Sequence, residues 1–288
     1  MNRNILETLI SDGYLTKLNI FDEVGSTNVL AKEAVQSSDI IPELPQLFVA
    51  DMQTAGRGRL GRSWASPAGT GIWMSHLSKP VISPDHISGI TILAALAVTN
   101  ALIAYGKRNA LSIEPKIKWP NDIVVNGKKI CGILTELVSI PNSDSYDNYV
   151  ICGIGINVNT ESFPDDISDK ATSLYLETGV MWNREEIIRD SIHALSDYIS
   201  EYENQNSLSF IRNEYNSFLV SLDREVRLID NNTDSGSGNN ADNNSEAEKI
   251  YISKGIDDTG ALLVTDSEGI LTAVRSGEVS VRGLYGYT

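Results

Sequence analysis

The hydrophobic pattern of the chain changes near residue 222, and this change limits the folds that are open to it. Before that point, segments with strand-like alternation are mixed with amphipathic helical segments. After it, only short strand-like runs separated by glycine-containing turns remain. Several strands follow one another without a helix between them, as in a hairpin predicted around Asn126-Gly127. The pattern therefore predicts an α+β fold with a mixed β-sheet.

The first region, residues 1–222, is predicted to be the catalytic domain, in which helices flank the mixed sheet. Its strand candidates are residues 46–51, 71–77, 115–120, 122–127, 130–138 and 148–159. Its helix candidates are residues 27–36, 84–105, 183–202 and 207–222. In the third helix, Asn183 and Glu186 have the spacing of a capping box, which indicates where the helix begins.

The most apolar segment, residues 83–106, is close to the length of a membrane-spanning helix. Three polar residues interrupt it, namely Thr91, Thr99 and Asn100. Ser83 and Pro84 suit the start of a core helix and Gly106 suits its end, so we expect a buried helix and no membrane association. Residues 1–9 lack the pattern of a signal peptide, and a cytoplasmic location is therefore expected.

The second region, residues 223–288, is predicted to be a small antiparallel β-barrel of the SH3-like type. Its strand candidates are residues 224–230, 249–256, 260–266, 269–274 and 278–283. Between the first two lies a segment rich in Asn, Asp and Ser, residues 231–248, which contains no Lys, Arg or large apolar residue. Such a segment cannot bury enough surface to order itself, so it is predicted to be a disordered insert.

Charge and the rarer residues exclude several classes of function. The net charge of −15 disfavours a protein that binds nucleic acid along its phosphate backbone. Cys131 and Cys152 lie in apolar runs without Cys-x-x-Cys spacing, which predicts buried packing residues and a reducing compartment. His76, His86 and His193 lack the spacing of metal ligands, so we expect no fixed metal site made by the protein.

The segment QTAGRGRLGRSW contains glycines in the spacing G-x-G-x-x-G, at Gly56, Gly58 and Gly61. A dinucleotide-binding turn of this type needs a helix directly after it and an acidic residue about twenty positions further on. Here Pro67 and the following glycines prevent a helix, and the residue at that distance from Gly56 is His76. We therefore reject the dinucleotide interpretation.

The same loop places three arginines among its glycines, namely Arg57, Arg59 and Arg62. Glycines allow the backbone to approach a ligand closely, and guanidinium groups suit carboxylate and phosphate. A loop this basic in an acidic chain predicts a compact anionic ligand. The alternative is an ordinary solvated turn.

A second group of residues, Lys118-Trp119-Pro120-Asn121-Asp122, combines a cation, an aromatic ring, a rigid bend and a carboxylate. This combination suits a nucleotide with Mg²⁺, where the amine meets phosphate and the carboxylate meets the metal. Lys129 is expected to project at the functional face of the sheet, although a surface lysine beside Lys128 is the alternative. Ser26 and Thr27 either cap a helix or hydrogen-bond a small polar ring.

Taken together, the segments GSTN, QTAGRGRLGRSW, KWPNDI, KKICGILTE and GIGINVN resemble the biotin–protein ligase family, in this order and at about this spacing. The resemblance covers residues 22–159, and the small C-terminal β-domain agrees with it. It implies an ATP-dependent ligase that converts biotin to biotinyl-5'-adenylate. Biotin is then transferred to one lysine of a biotin carboxyl carrier domain.

The resemblance also implies roles for individual residues. Biotin would be bound by Ser26, Thr27, Asn28, Gln53, Arg57, Gly58, Arg59, Trp64 and Lys129. ATP would be bound by Arg57, Arg59, Arg62, Lys118, Asn121 and Asn157. The catalytic groups would be Lys129, Arg57, Arg59 and Asp122, and Mg²⁺ would arrive with ATP, near Asp122.

Only 25 residues precede Ser26, too few for the N-terminal winged helix with which bifunctional bacterial members bind DNA. The resemblance therefore implies a monofunctional ligase without a DNA partner, and a homodimer is open. The nearest alternative is a lipoate or octanoate ligase or transferase, which shares the catalytic fold. A module that binds biotin without turnover and a nucleic-acid-binding protein that uses the arginine loop are the others.

Overall fold

The computed structural model describes residues 1–36, 42–143, 145–230, 249–275 and 279–283. The helices in these ranges are α1 (Arg3–Ser11), α2 (Thr27–Gln36), α3 (Ser88–Arg108), α4 (Leu174–Thr178), α5 (Arg184–Gln205) and α6 (Ser209–Phe218). The strands are β1 (Lys17–Val24), β2 (Gln46–Gln53), β3 (Gly71–Ser78), β4 (Lys116–Lys118), β5 (Asp122–Val125), β6 (Lys128–Asn142), β7 (Ser145–Asn157), β8 (Glu225–Asp230), β9 (Ile250–Ile256), β10 (Leu262–Thr265), β11 (Leu271–Val274) and β12 (Val279–Gly283). The predicted insert, residues 231–248, lies outside the described residues.

The larger sheet has seven strands in the order β1-β2-β3-β7-β6-β5-β4. Strands β1 and β2 are parallel, and every other neighbouring pair is antiparallel. The hairpin expected at Asn126-Gly127 joins β5 to β6, and both turn residues have positive φ, 49° and 76°. The predicted α+β architecture with a mixed sheet is therefore confirmed.

Helices cover the two faces of this sheet unequally. In β7, Val150, Cys152, Ile154 and Ile156 belong to the large core that contains α3 and α5. The alternate residues Tyr149 and Ile151 pack instead with α2 on the opposite face. The next positions on that opposite face are Gly153 and Gly155, because side chains alternate along a strand. The sheet therefore has a region without side chains beside the start of α2.

Helix α3 begins at Ser88, after a short 3₁₀ turn at Pro84–His86, and continues to Arg108. The expected end at Gly106 is wrong. Gly106 lies inside the helix, where its carbonyl accepts a hydrogen bond from the Leu111 N–H at 2.9 Å. A side chain at this position would crowd the Leu111 carbonyl, so the glycine permits the chain to fold back closely.

Among the described residues, one helical segment, Pro84–Arg108, is long and apolar enough to cross a membrane. Within the fold, 78% of its most apolar window is buried. It packs against α5 and the large sheet as the central helix of the main core. The two cysteines are also buried there, with free thiols, as expected.

Two N-terminal elements, α1 and β1, were not predicted. Leu6 and Leu9 of α1 are fully buried in the main core, and α1 packs against α5. Strand β1 is an edge strand whose residues are mostly half-exposed, so its alternation is weak. Asn183 caps α5 by accepting from the Glu186 N–H at 3.1 Å, as the capping box predicted.

The smaller sheet is antiparallel, with the strand order β11-β10-β9-β8-β12. It is joined to the larger sheet by the indole of Trp119, whose Nε1 donates to the Gly260 carbonyl at 3.0 Å. Val226, Leu262 and Val264 of this sheet lie in the same apolar core as α3. Because the core is continuous, the domain boundary at residues 222/223 stays a prediction.

Candidate ligand-binding and catalytic site

A single open cavity lies on the α2 face of the larger sheet, over the region that has no side chains. Its empty volume is about 480 Å³, including the mouth. The lining residues come from α2, the arginine loop and four strands, and are Ser26, Thr27, Asn28, Gln53, Arg57, Gly58, Arg59, Trp64, Met74, Asn121, Lys129, Gly132, Ile133, Leu134, Gly153, Ile154 and Gly155. Most of the residues expected to bind biotin or ATP therefore line one cavity.

Three glycines on β6 and β7 form the floor of the cavity. Gly132 and Gly155 are directly opposite each other in the β6–β7 register. A Cβ atom on Gly155 would lie 2.9 Å from Trp64 Nε1, and one on Gly132 would lie 3.0 Å from Cζ3 of the same ring. At Gly153, a Cβ atom would clash with the Asn28 amide. Trp64 and Asn28 thus reach the sheet only because these positions are glycine.

The positive end of the cavity is built around Lys129. Its Nζ lies 2.6 Å from Asp122 Oδ1 and 4.9 Å from the centroid of the Trp64 ring. Arg59 projects to the same end and donates from Nη1 to Asn121 Oδ1 at 2.9 Å. Burial lowers the pKa of Arg59, while the Asp122 carboxylate opposes this shift. The cations are thus held by fixed polar partners in a partly desolvated place.

A break in strand register turns Lys129 toward the cavity. Ile123 is opposite Cys131, whereas the next residue, Val124, is opposite Lys129, so Ile130 is left unmatched as a β-bulge. Ile130 and Cys131 are consecutive and both fully buried in the main core. The bulge therefore reverses the alternation, and the Lys129 amine lies on the same face as Gly132, 3.1 Å from where that residue's Cβ would be.

The backbone of Lys129 is fixed from outside the sheet. Its N–H donates to the Lys170 carbonyl at 2.8 Å, and its carbonyl accepts from the Thr172 N–H at 2.9 Å. These bonds take the place of ladder partners at the bulge. The lysine is therefore held at a rigid point rather than at a free strand end.

The other end of the cavity is polar and almost uncharged. Gln53 Oε1 accepts from the Thr27 N–H at 2.9 Å, and its Nε2 donates to Ser66 Oγ at 3.0 Å. Ser26 is 5% exposed and its hydroxyl lines the cavity next to Thr27. Asn28 donates from Nδ2 to a Glu136 carboxylate oxygen at 2.7 Å. This end offers small hydrogen-bonding groups in fixed orientations.

The arginine loop is folded as a narrow irregular hairpin above the cavity. The Gly58 N–H donates to the Arg62 carbonyl at 2.7 Å, and the Trp64 N–H donates to the Gly56 carbonyl at 2.9 Å. At the tip, Leu60 has a φ of 57°, which is unusual for a bulky residue, and it is 65% exposed. The tip thus turns Leu60 outward while Arg59 points to Asn121.

Four residues assigned from the sequence do not line the cavity. Asp122 lies behind Lys129 and contacts its amine. Asn157 is buried and donates from Nδ2 to the Thr172 carbonyl at 3.2 Å. Lys118 is half-buried on β4, and Arg62 is exposed beyond the loop tip. Their proposed roles with ATP stay predictions.

Some residues of the site were missed by the sequence reasoning. Ser75 on β3 is fully buried, with its Oγ 2.7 Å from Thr27 Oγ1, and Glu136 contacts Asn28. Met74 also lines the cavity. A serine within the otherwise apolar run of β3 and a glutamate within β6 were the available signals. Neither reveals its partner, because both contacts join segments far apart in sequence.

Comparison with known proteins agrees with this geometry. Residues 21–157 match the family model described as the biotin/lipoate A/B protein ligase family. The bifunctional ligase/repressor BirA of Bacillus spizizenii is 37% identical over 252 residues, which cover 86% of this chain and 69% of that protein. The biotin–[acetyl-CoA-carboxylase] ligase of Paracoccus denitrificans is 33% identical over 227 residues, covering 77% of this chain and 84% of that protein.

Among solved structures, the chain is similar to the biotin protein ligase from Aquifex aeolicus in complex with biotin and ATP. The two chains are 30% identical with a TM-score of 0.72, and the match covers 93% of this chain and 99% of that one. The likeness therefore includes both sheets and the cavity between α2 and the arginine loop. The chain belongs to the biotin–protein ligase family.

Proposed function

We propose that the protein activates biotin with ATP to biotinyl-5'-adenylate and then transfers biotin to a specific lysine of a biotin carboxyl carrier domain. The observation that carries the proposal is the division of one cavity into a polar end and a cationic end. Thr27, Asn28 and Gln53 mark the first end, and Arg59 and Lys129 mark the second. The names of the relatives, which include biotin–[acetyl-CoA-carboxylase] ligases, support the same assignment.

The spacing of the two ends suits a ligand with a polar ring and a carboxylate. Gly153 lies beside Asn28, and Gly155 lies under Trp64. Two residues along a strand span about 7 Å, so the two ends are one short hydrocarbon chain apart. We propose that the ureido ring of biotin contacts Ser26, Thr27 and Gln53, and that its chain crosses the glycines toward Lys129.

In the first step, a biotin carboxylate oxygen forms a bond to the α-phosphorus of ATP, and the bond from that phosphorus to pyrophosphate breaks. Both reactants are anions, so charge must be neutralised where they meet. Arg57, Arg59 and Lys129 are proposed to do this. Arg62, Lys118, Asn121 and Asn157 are proposed to bind the nucleotide more remotely.

Mg²⁺ is proposed to accompany ATP near Asp122. A protein site of this kind often supplies only one or two carboxylates, because phosphate oxygens and water complete the octahedron. Among the described residues, no cluster of three or more potential metal ligands is present. The single half-buried carboxylate of Asp122, beside Lys129, fits this mode of binding.

In the second step, the acceptor lysine amine attacks the acyl carbon of the adenylate, and AMP leaves. Lys129 is proposed to stabilise the charge that develops on the acyl oxygen and on the leaving phosphate. The attacking amine must lose a proton, and Asp122 is the carboxylate at this end of the cavity. The arginine loop above Trp64 limits access of water to the mixed anhydride.

The alternative substrate is lipoate or octanoate, which enzymes of the same fold use. The polar end favours biotin, because Ser26, Thr27 and Gln53 offer hydrogen-bonding groups that an apolar ring or chain leaves unmet. The acceptor domain, a cytoplasmic location and a homodimer stay predictions.

The test is exchange of labelled pyrophosphate into ATP by the purified protein with Mg²⁺, comparing biotin, lipoate and octanoate. Exchange with biotin alone is the expected result, because only biotin satisfies both ends of the cavity. Exchange with lipoate or octanoate instead would keep the fold and replace the substrate. Exchange with none of them in a folded sample would leave a protein that binds its ligand without activating it.

A further inference from the structure

The polar end of the cavity is backed by a carboxylate that does not line it. Glu136, half-buried on β6, accepts from Asn28 Nδ2 at 2.7 Å. The same nitrogen donates to the Leu134 carbonyl at 3.3 Å. The two protons of the Asn28 amide are therefore both used behind the cavity wall. An ionised carboxylate can only accept, so the amide cannot rotate to exchange its nitrogen and oxygen.

With the nitrogen fixed, the Asn28 oxygen faces Ser75. The fully buried Ser75 Oγ lies 2.5 Å from Asn28 Oδ1 and 2.7 Å from Thr27 Oγ1. A serine hydroxyl has one proton. Because Oδ1 carries none, the Ser75 proton lies on the contact with Asn28. The contact between Ser75 and Thr27 must then use the proton of Thr27.

The second neighbour of Thr27 leads to the same result. Thr27 Oγ1 is 3.1 Å from Gln53 Oε1, which already accepts from the Thr27 N–H. The Gln53 amide is held in that orientation because its Nε2 donates to Ser66 Oγ. Both neighbours of the Thr27 hydroxyl thus take its proton, and only lone pairs remain for the cavity.

We propose that Glu136 is a positioning residue that sets the direction of this relay, from Glu136 through Asn28 and Ser75 to Thr27. The relay makes Thr27 Oγ1 an acceptor, so the cavity selects a ring with an N–H donor at this place, as a cyclic urea has. This inference rests on the proposed function and names the group of the ligand that is selected. A ring without an N–H leaves the Thr27 acceptor unsatisfied.

The test compares biotin with an analogue methylated at the ureido nitrogens, by titration calorimetry on the full chain. The wild-type protein is expected to prefer biotin by at least about tenfold, the effect of one unmet buried acceptor. In Glu136→Leu, Asn28 is free to turn and the Thr27 proton can face the cavity. We expect that preference to fall to about threefold or less, mainly through weaker biotin binding, and KM for biotin to rise more than kcat falls.

Two further variants separate positioning from general damage. Glu136→Gln keeps an acceptor oxygen for Asn28 and should restore most of the preference. Ser75→Ala breaks the relay at its next link and should lose the preference even if Glu136→Leu fails to fold. The control is Glu33→Gln, an exposed residue on the same helix as Asn28, which should match the wild type.

An unchanged preference in both Glu136→Leu and Ser75→Ala would overturn the role of the relay. An equal loss of affinity for the two ligands would also overturn it, since this is the result of structural damage alone. A wild-type protein that binds neither ligand would instead refute the proposed function. That failure appears before any variant is made, so the two outcomes are distinguishable.

Discussion

At the scale of single residues, Lys129 is the point where the separate parts of the site meet. Its amine contacts the Asp122 carboxylate and the face of Trp64, and its backbone is bound by the segment that contains Lys170 and Thr172. A cation held this closely needs little rearrangement when charge develops nearby. Preorganisation of this kind supplies much of the rate in sites of this type.

Removal of either main cation should therefore slow adenylation strongly. We expect Lys129→Ala and Arg59→Ala each to lose about 10²-fold or more in biotin-dependent pyrophosphate exchange, the scale of one electrostatic donor. Lys17→Ala, an exposed cation on β1, is the control. A loss below about threefold in both cavity variants would be incompatible with the assigned site.

His76 controls a different property, the dependence of stability on pH. It is 2% exposed, and among the described residues neither of its ring nitrogens has a hydrogen-bond partner. Burial lowers the pKa of His76 to about 4. The unfolded chain, with an ordinary histidine pKa near 6.5, therefore binds a proton first. The stabilising contribution is full above about pH 6.5 and is lost as the pH falls toward 4.

Unfolding by denaturant at pH 7 and pH 5 tests this assignment. Between these pH values, the wild-type protein should lose about 2 kcal/mol more unfolding free energy than His76→Leu, because the variant lacks the titrating ring. His86→Gln changes a histidine that is not fully buried and should behave like the wild type. Parallel pH dependence in all three proteins would contradict a buried neutral His76.

At the scale of elements, the β6–β7 pair forms a surface on which side chains from other elements rest. We expect Gly155→Ala to displace the Trp64 ring, since the new Cβ would lie 2.9 Å from its Nε1. KM for biotin should rise about tenfold or more, as the ring no longer packs over the ligand. Gly25→Ala is the matched control, because its Cβ would meet nothing within 4 Å. Equal KM values for the two variants would exclude the role of the glycine floor.

Much at this scale could be predicted from the sequence. Alternation in β2, β3 and β7, the capping box before α5 and the turn at Asn126-Gly127 are local signals, and each one led to the right element. The motif residues also led to one cavity, since Ser26, Gln53, Arg59 and Lys129 all line it. Local signals succeed because they depend on neighbours in the chain.

The features that could not be predicted depend on distant contacts. The bulge at Ile130 exists because two consecutive residues fill the main core, and the sequence alone does not say which face each residue meets. Edge strand β1 is stabilised by β2 rather than by its own pattern. The link from Glu136 to Asn28 joins residues 108 positions apart. Such pairings appear only when the strand order is known.

At the scale of the whole molecule, the two sheets depend on the indole of Trp119. Trp119→Phe removes the donor to the Gly260 carbonyl, which lies in the joint between them. We expect a loss of about 2 kcal/mol in unfolding free energy, the cost of one unmet buried hydrogen-bonding group. Limited proteolysis should then release the C-terminal sheet earlier than in the wild type.

Trp182→Phe provides the comparison, since its Nε1 donates to Thr178 Oγ1 at 2.9 Å within the larger domain. It should lower stability by a similar amount without changing the order of cleavage. If both variants gave the same proteolytic pattern as the wild type, Trp119 would not be the joint between the sheets.

The placement of the four tryptophans gives the molecule an optical reporter of its own. Trp73, Trp119 and Trp182 are 1–3% exposed and do not line the cavity, whereas the Trp64 indole lies 4.9 Å from the Lys129 amine. A ligand carboxylate that draws this ammonium away changes the electric field across the indole, and with it the wavelength of fluorescence. Occupancy can thus be followed by light in the unlabelled protein, with Trp64→Phe as the blank.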